Sequence, residues 1–182
     1  MSKLFKYEKA VNSLLYALQK LGGKTDMHKL CKILYFADQR HLSKYGRSIT
    51  GDSYIAMQFG PVPSYVDDIL KALRGDSFFS SSNEIEPLKE CMVFENRFII
   101  RCLKNPDMDE LSVSDIECLD YAIEICKNKN FAELTEYSHG LAWNNTQKDR
   151  TISVKDILRE VGDDESYVDY IADNLKLQSS FL

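Results

Sequence analysis

The stretch from His28 to Leu73, HKLCKILYFADQRHLSKYGRSITGDSYIAMQFGPVPSYVDDILKAL, limits the possible folds of this chain more than any other. Leu30, Leu34, Ala37 and His41 recur at steps that keep them on one face of a 3.6-residue period. Met27, Cys31 and Tyr35 widen that stripe, while Asp38, Arg40 and Lys44 fall largely outside it. Gly46 stands where a helix C-terminus favours a residue that tolerates left-handed backbone. A polar turn then leads to a strand-like run, Tyr54–Phe59. In Gly60-Pro61-Val62-Pro63, proline fixes two φ angles and pushes Gly60 and Val62 toward extended backbone. The connector is therefore predicted to be a stiff elbow. Pro63 or Ser64 opens a second amphipathic helix with Tyr65, Val66, Ile69, Leu70 and Leu73 on its inner face.

The flanking sequence extends the same pattern. A helix is predicted over Tyr7–Leu21, with Gly22-Gly23 stopping it and Thr25 or Asp26 capping the next. The resulting helix–turn–helix reads either as two core helices or as a DNA-reading motif. Asp76–Asn83 reads as an exposed loop carrying Phe78 and Phe79. Cys91–Phe94 and Phe98–Leu103 suggest a β-hairpin, to which Tyr54–Phe59 could add. Ser112 with Asp115, and Asn130 with Glu133, have capping-box spacing for helices over Val113–Cys126 and Phe131–His139. Ser153 could cap a further helix, with Ile152 placed to pack on Ile157, and residues 163–182 form an acidic last helix or tail. The expected fold is mainly α with a small β-hairpin or sheet (α+β), a single compact helical domain over 1–182.

Five scattered cysteines without a C-x-x-C pair suit free thiols in a reducing cytoplasm better than a disulfide framework. No secretory signal or membrane span is legible. The net charge of −5 argues against a general nucleic-acid binder. Lys20–Lys32 nevertheless holds four lysines against one aspartate, whereas Asp156–Asp173 holds seven acids and one arginine.

Catalytic signals are sparse. None of the eight glycines builds a phosphate-cradling loop, and the three histidines have no metal-ligand spacing, so no cofactor, metal or enzymatic activity is expected. Cys31 and His41 sit in the apolar stripe, where a small core residue and a hydrogen-bonded core histidine are the plainer readings. Asp38, Arg47 and Asp52 could form an internal ion-pair network or a charged recognition surface. Trp143, the only tryptophan, packs in the core or anchors a partner. Tyr35 and Tyr54 can pack with the ring and offer the hydroxyl.

Lys29-Leu30, Leu34-Tyr35-Phe36-Ala37-Asp38, Tyr45-Gly46-Arg47, Ile49-Thr50-Gly51-Asp52 and Gly60-Pro61-Val62-Pro63 together resemble the Panacea domain. The resemblance continues through Leu111-Ser112, Asp115 and Leu119-Asp120 to Glu133-Leu134, Ser138-His139 and Ala142-Trp143, covering roughly residues 5–160. It implies an antitoxin that neutralises a co-encoded toxin by direct contact. The alternative is a DNA-binding or phage-associated regulator without enzymatic activity. Candidate partner-binding residues are Tyr35, Asp38, Arg47, Asp52, Tyr54, Gly60, Pro61, Pro63 and Trp143. The 47–52 turn and 60–64 elbow are expected at or near the surface.

Overall fold

The computed structural model describes residues 4–76 and 85–181. The chain runs α1 (Tyr7–Lys20), β1 (Lys24–Asp26), α2 (Met27–Tyr45), β2 (Tyr54–Met57), β3 (Gly60–Pro63), α3 (Ser64–Arg74) and α4 (Ile85–Cys91). It continues through β4 (Met92–Phe94), β5 (Ile99–Cys102), α5 (Val113–Cys126), α6 (Phe131–Ser138), α7 (Leu141–Asn144), α8 (Val154–Glu160) and α9 (Glu165–Phe181). The loop expected over Asp76–Asn83, with Phe78 and Phe79, lies almost wholly outside the described residues.

The centre is α2. Its N-cap Asp26 accepts a hydrogen bond from the Lys29 amide at 2.8 Å, and Gly46 ends it at φ 69°. Leu30, Ile33, Leu34, Tyr35 and Ala37 are at most 1% exposed. Burial extends beyond the apolar stripe to Lys32, Asp38 and Gln39. Neighbours surround the helix: α5 covers it most extensively, with α1, α3, α6, α8 and the β2–β3 hairpin around the rest. Enclosed in this way, the helix leaves almost no solvent face between residues 30 and 42. Asp38 is internal although it lies outside the apolar stripe, which favours the internal of its two sequence readings over the recognition surface. Leu34→Ala is expected to cost about 2–5 kcal/mol in denaturant melts, through lost burial and a residual cavity.

The proposed hairpin near residue 97 is present, with Met92 opposite Cys102 and Phe94 opposite Ile100. Its third strand is β1, paired with β5, rather than Tyr54–Phe59. Tyr54–Met57 instead pairs with Gly60–Pro63, Tyr54 opposite Pro63 and Met57 opposite Gly60, so the stiff elbow is itself a strand. Prolines suit an edge strand because they remove donors that would otherwise go unpaired. The far side of β2 is covered by residues 149–152, which bond Ala56 N to Arg150 O at 2.9 Å and Ile152 N to Tyr54 O at 2.7 Å.

The two capping boxes form as the spacing suggests, Ser112 with Asp115 on α5 and Asn130 with Glu133 on α6. Ile152 and Ile157 are both buried, and Ser153 caps α8. The acidic C-terminal segment is a helix docked through Val168 and Ile171.

Candidate functional site

Four sets of polar contacts fix the surroundings of α2. Asp38 accepts from Ile49 N at 2.6 Å, Thr50 N at 3.3 Å, Thr50 Oγ1 at 2.7 Å and Tyr54 Oη at 2.8 Å. Those bonds shape the turn that follows the helix. Burial pushes its carboxyl up, against the opposing pull of these donors. Asp115 receives Lys9, Arg47 at 3.4 Å and His41 Nε2 at 3.1 Å, joining α1, α2 and α5. Burial alone would raise this carboxyl, but donors from His41, Lys9 and Ser112 hold it well below the usual carboxylate range.

His41, Ser114 and Asp115 resemble a nucleophilic triad in composition alone. Ser114 Oγ and Asp115 Oδ1 both face His41 Nε2, at 3.1 Å each, while Nδ1 meets the Arg47 carbonyl at 2.7 Å. A triad needs serine and aspartate on opposite nitrogens. This is a buried structural histidine.

Glu160 reaches from α8 to accept from Tyr35 Oη at 3.2 Å, Gln39 Nε2 at 2.7 Å and the Ala142 amide at the start of α7 at 2.7 Å. It thereby fixes the short helix that carries Trp143.

The fourth set is at the β2–β3 hairpin. Three alternate carbonyls across its tip are each held by a side chain from elsewhere in the fold. Trp143 Nε1 donates to Met57 O at 2.9 Å, His28 Nε2 lies 3.3 Å from Phe59 O, and Lys32 Nζ donates to Pro61 O at 2.8 Å. The tip itself, Gln58-Phe59, is exposed. Phe59 is 46% exposed and meets Phe131 edge-on at 5.1 Å. The His28 ring lies 4.2 Å from Phe131, which is itself 50% exposed. Tyr137 and Leu141, also exposed, lie further along α6 and on α7. A rigid turn thus presents an aromatic cluster at the surface.

Lys32 is fully buried, and among the described residues no carboxylate pairs with it. Burial pushes its ammonium pKa down to about 8. A charged lysine with a lowered folded-state pKa opposes folding below that value, and the opposition fades as pH rises toward 10.5. A depression of this size corresponds to about 3 kcal/mol.

Most sequence candidates turn out to be internal. Tyr35, Asp38 and Tyr54 are at most 3% exposed, and Gly60, Pro61 and Pro63 are buried. These six build the fold and offer no free surface group, which corrects the surface placement of the elbow. Arg47 and Asp52 are half-buried. Arg47 pairs with Asp115, while Asp52 caps α3 by accepting from Tyr65 N and Val66 N at 3.1 and 3.0 Å. Burial raises the Asp52 carboxyl to about 6. Asp38, Arg47 and Asp52 each hold the turn, through separate partners. Trp143 uses its indole N–H on Met57 and stacks on His139 at 3.7 Å. Burial pushes the Cys31 thiol up to about 12, which removes it as a nucleophile at neutral pH.

The basic spot over Lys20–Lys32 also disperses. Lys20 pairs with Asp120, Lys24 with Glu95, Lys29 donates to the Lys127 carbonyl, and Lys32 is interior. Sequence reasoning passed over Lys32, Phe59, Phe131 and Glu160 as site residues. The only local signal was the apolar Phe59 immediately before a glycine in a tight turn.

A family model described as Antitoxin SocA-like, Panacea domain matches residues 30–144. The chain belongs to the Panacea domain family. The matched span of this Panacea domain runs from α2 through the hairpin to α7, and so contains Lys32, Phe59, Phe131 and Trp143. It is narrower than the 5–160 range over which the motifs were read. No curated protein and no solved structure matches the chain. Among the described residues no group of three or more His, Cys, Asp or Glu could hold a metal ion, and no helix is long and apolar enough to cross a membrane.

Proposed function

We propose that this Panacea domain protein is a non-catalytic antitoxin of the cytoplasm that neutralises a co-encoded toxic protein by direct contact. The face used is the hairpin tip with α6, centred on Phe59 and Phe131. The observation that carries this reading is the grip on the Met57, Phe59 and Pro61 carbonyls by three separate side chains. A turn fixed in this way exposes an aromatic side chain with little ordering left to lose on binding. Aromatic anchors of this kind dominate protein interfaces. The antitoxin-like family supports a protein partner, and the dispersal of the basic spot favours protein over nucleic acid.

Co-expression with the product of the neighbouring open reading frame tests the proposal. Growth arrest by that product alone, relieved by this chain, is the expected result. Phe59→Ala should retain the wild-type melting temperature within a few degrees and need at least about tenfold more protein for the same rescue, a loss of about 1.4 kcal/mol or more. A non-toxic neighbour, or one that does not bind the chain, would remove the antitoxin reading.

A further inference from the structure

Lys32 has a position that stability alone does not explain. Its ammonium is fully buried and, among the described residues, has no carboxylate partner and makes one hydrogen bond, 2.8 Å to Pro61 O. An apolar side chain of similar length would fill the same space without the desolvation of a charge, and such replacements are often neutral or stabilising. What an apolar side chain cannot do is hold a carbonyl of the hairpin.

The neighbouring geometry points the same way. Gly60, at φ +96°, lies so close that an added Cβ would fall 2.7 Å from Lys32 Nζ and 2.2 Å from Ser138 Oγ. The backbone of the tip is thus drawn against α2 and the end of α6. Lys32 shares this task with His28, one turn earlier on the same helix, whose Nε2 faces Phe59 O and Thr135 Oγ1.

We propose that Lys32 is a positioning residue of the partner-binding face, holding β3 against α2 so that Phe59 is presented beside Phe131. The inference rests on the binding role proposed above for that face. It adds that a buried cation in the core is retained to orient the hairpin, at the expense of the stability of the whole fold.

Lys32→Met and Lys32→Gln separate positioning from simple packing. For each variant of the full chain, thermal melting is measured together with amide hydrogen exchange at Met57, Gly60 and Val62 and with the Phe59–Phe131 ring contact by NMR. With Lys32→Met the expected melting temperature is at or above wild type, while exchange at the hairpin accelerates at least about tenfold and the ring contact weakens. Lys32→Gln, which keeps a donor without the charge, should restore much of the protection. Unchanged exchange and an intact ring contact in Lys32→Met would overturn the proposal. So would hairpin exchange that rises only in step with a lower melting temperature across the molecule. Neither readout needs a partner, so failure of the positioning role is distinguishable from failure of the antitoxin reading. Where the hairpin loosens as expected, the rescue dose of Lys32→Met should rise alongside that of Phe59→Ala.

Discussion

Asp38→Ala is expected to destabilise the protein by about 3 kcal/mol or more, since it strands the buried Ile49 amide and Tyr54 hydroxyl. Thr50 can rotate its hydroxyl toward another acceptor, so its share of the loss is smaller. Losing the buried charge recovers part of the cost, because desolvation already works against the carboxylate. In a chain of this size the shift in melting temperature should be roughly 10 °C. The effect should spread along the 49–54 turn, because Asp38 is what folds that turn back onto α2. Amide exchange at Ile49 and Thr50 reports it directly. Wild-type protection there, together with an unchanged melting temperature, would show that the carboxylate does not organise the turn.

The second large effect concerns Asp115 and depends on pH. Its carboxyl is held below the ordinary value of 3.8 by donors from His41, Lys9 and Ser112, which together outweigh its burial. A lowered folded-state pKa stabilises the protein at pH values above the unfolded one. That contribution is lost as pH falls below about 4 toward the folded value. Asp115→Ala should therefore cost about 2–4 kcal/mol at pH 7, leaving Lys9, Arg47 and His41 without their shared acceptor. The difference from wild type should shrink as urea melts are taken from pH 5 to pH 3. A gap that stays constant over that range would assign the loss to packing alone.

The parts of the fold that could be read from sequence are those that local chemistry specifies. Asp26, Ser112 and Asn130 each announce a helix start through a side chain that bonds an amide three residues on, and each does so. Gly46 ends α2 through its backbone freedom, which is also a local property. Non-local partners were not legible. Asp38 stayed open between an internal network and a charged surface because the apolar stripe assigns one inner face, whereas α2 is enclosed by elements more than 120 residues away. Gly60–Pro63 reads as a stiff connector from its prolines, yet its pairing with Tyr54–Met57 depended on the turn at Gln58-Phe59, which carries no strong sequence signature. Lys32 counted as one of four lysines in a basic spot, since nothing nearby in sequence reveals a carbonyl 29 positions later as its partner.

The same limit applied to the candidate site. Tyr35, Asp38, Tyr54, Gly60, Pro61 and Pro63 stood out because they are unusual residue types in a dense pattern. In this fold such residues solve internal problems: unsatisfied donors, a tight approach at Gly60, and an edge strand without free N–H groups. Phe59 and Phe131 carry no unusual pattern. They become notable only when the hairpin and α6 bring them to 5.1 Å and leave both about half exposed.

The most direct test of the central claim is calorimetric titration of the purified chain against the toxic neighbouring gene product, comparing wild type with Phe59→Ala and Phe131→Ala. Both variants remove exposed rings and should melt near wild type. Each is expected to weaken the Kd at least about tenfold, with tight one-site binding by the wild-type protein. Wild-type Kd values for both variants, in samples that melt normally, would contradict the assignment of the hairpin tip as the binding face.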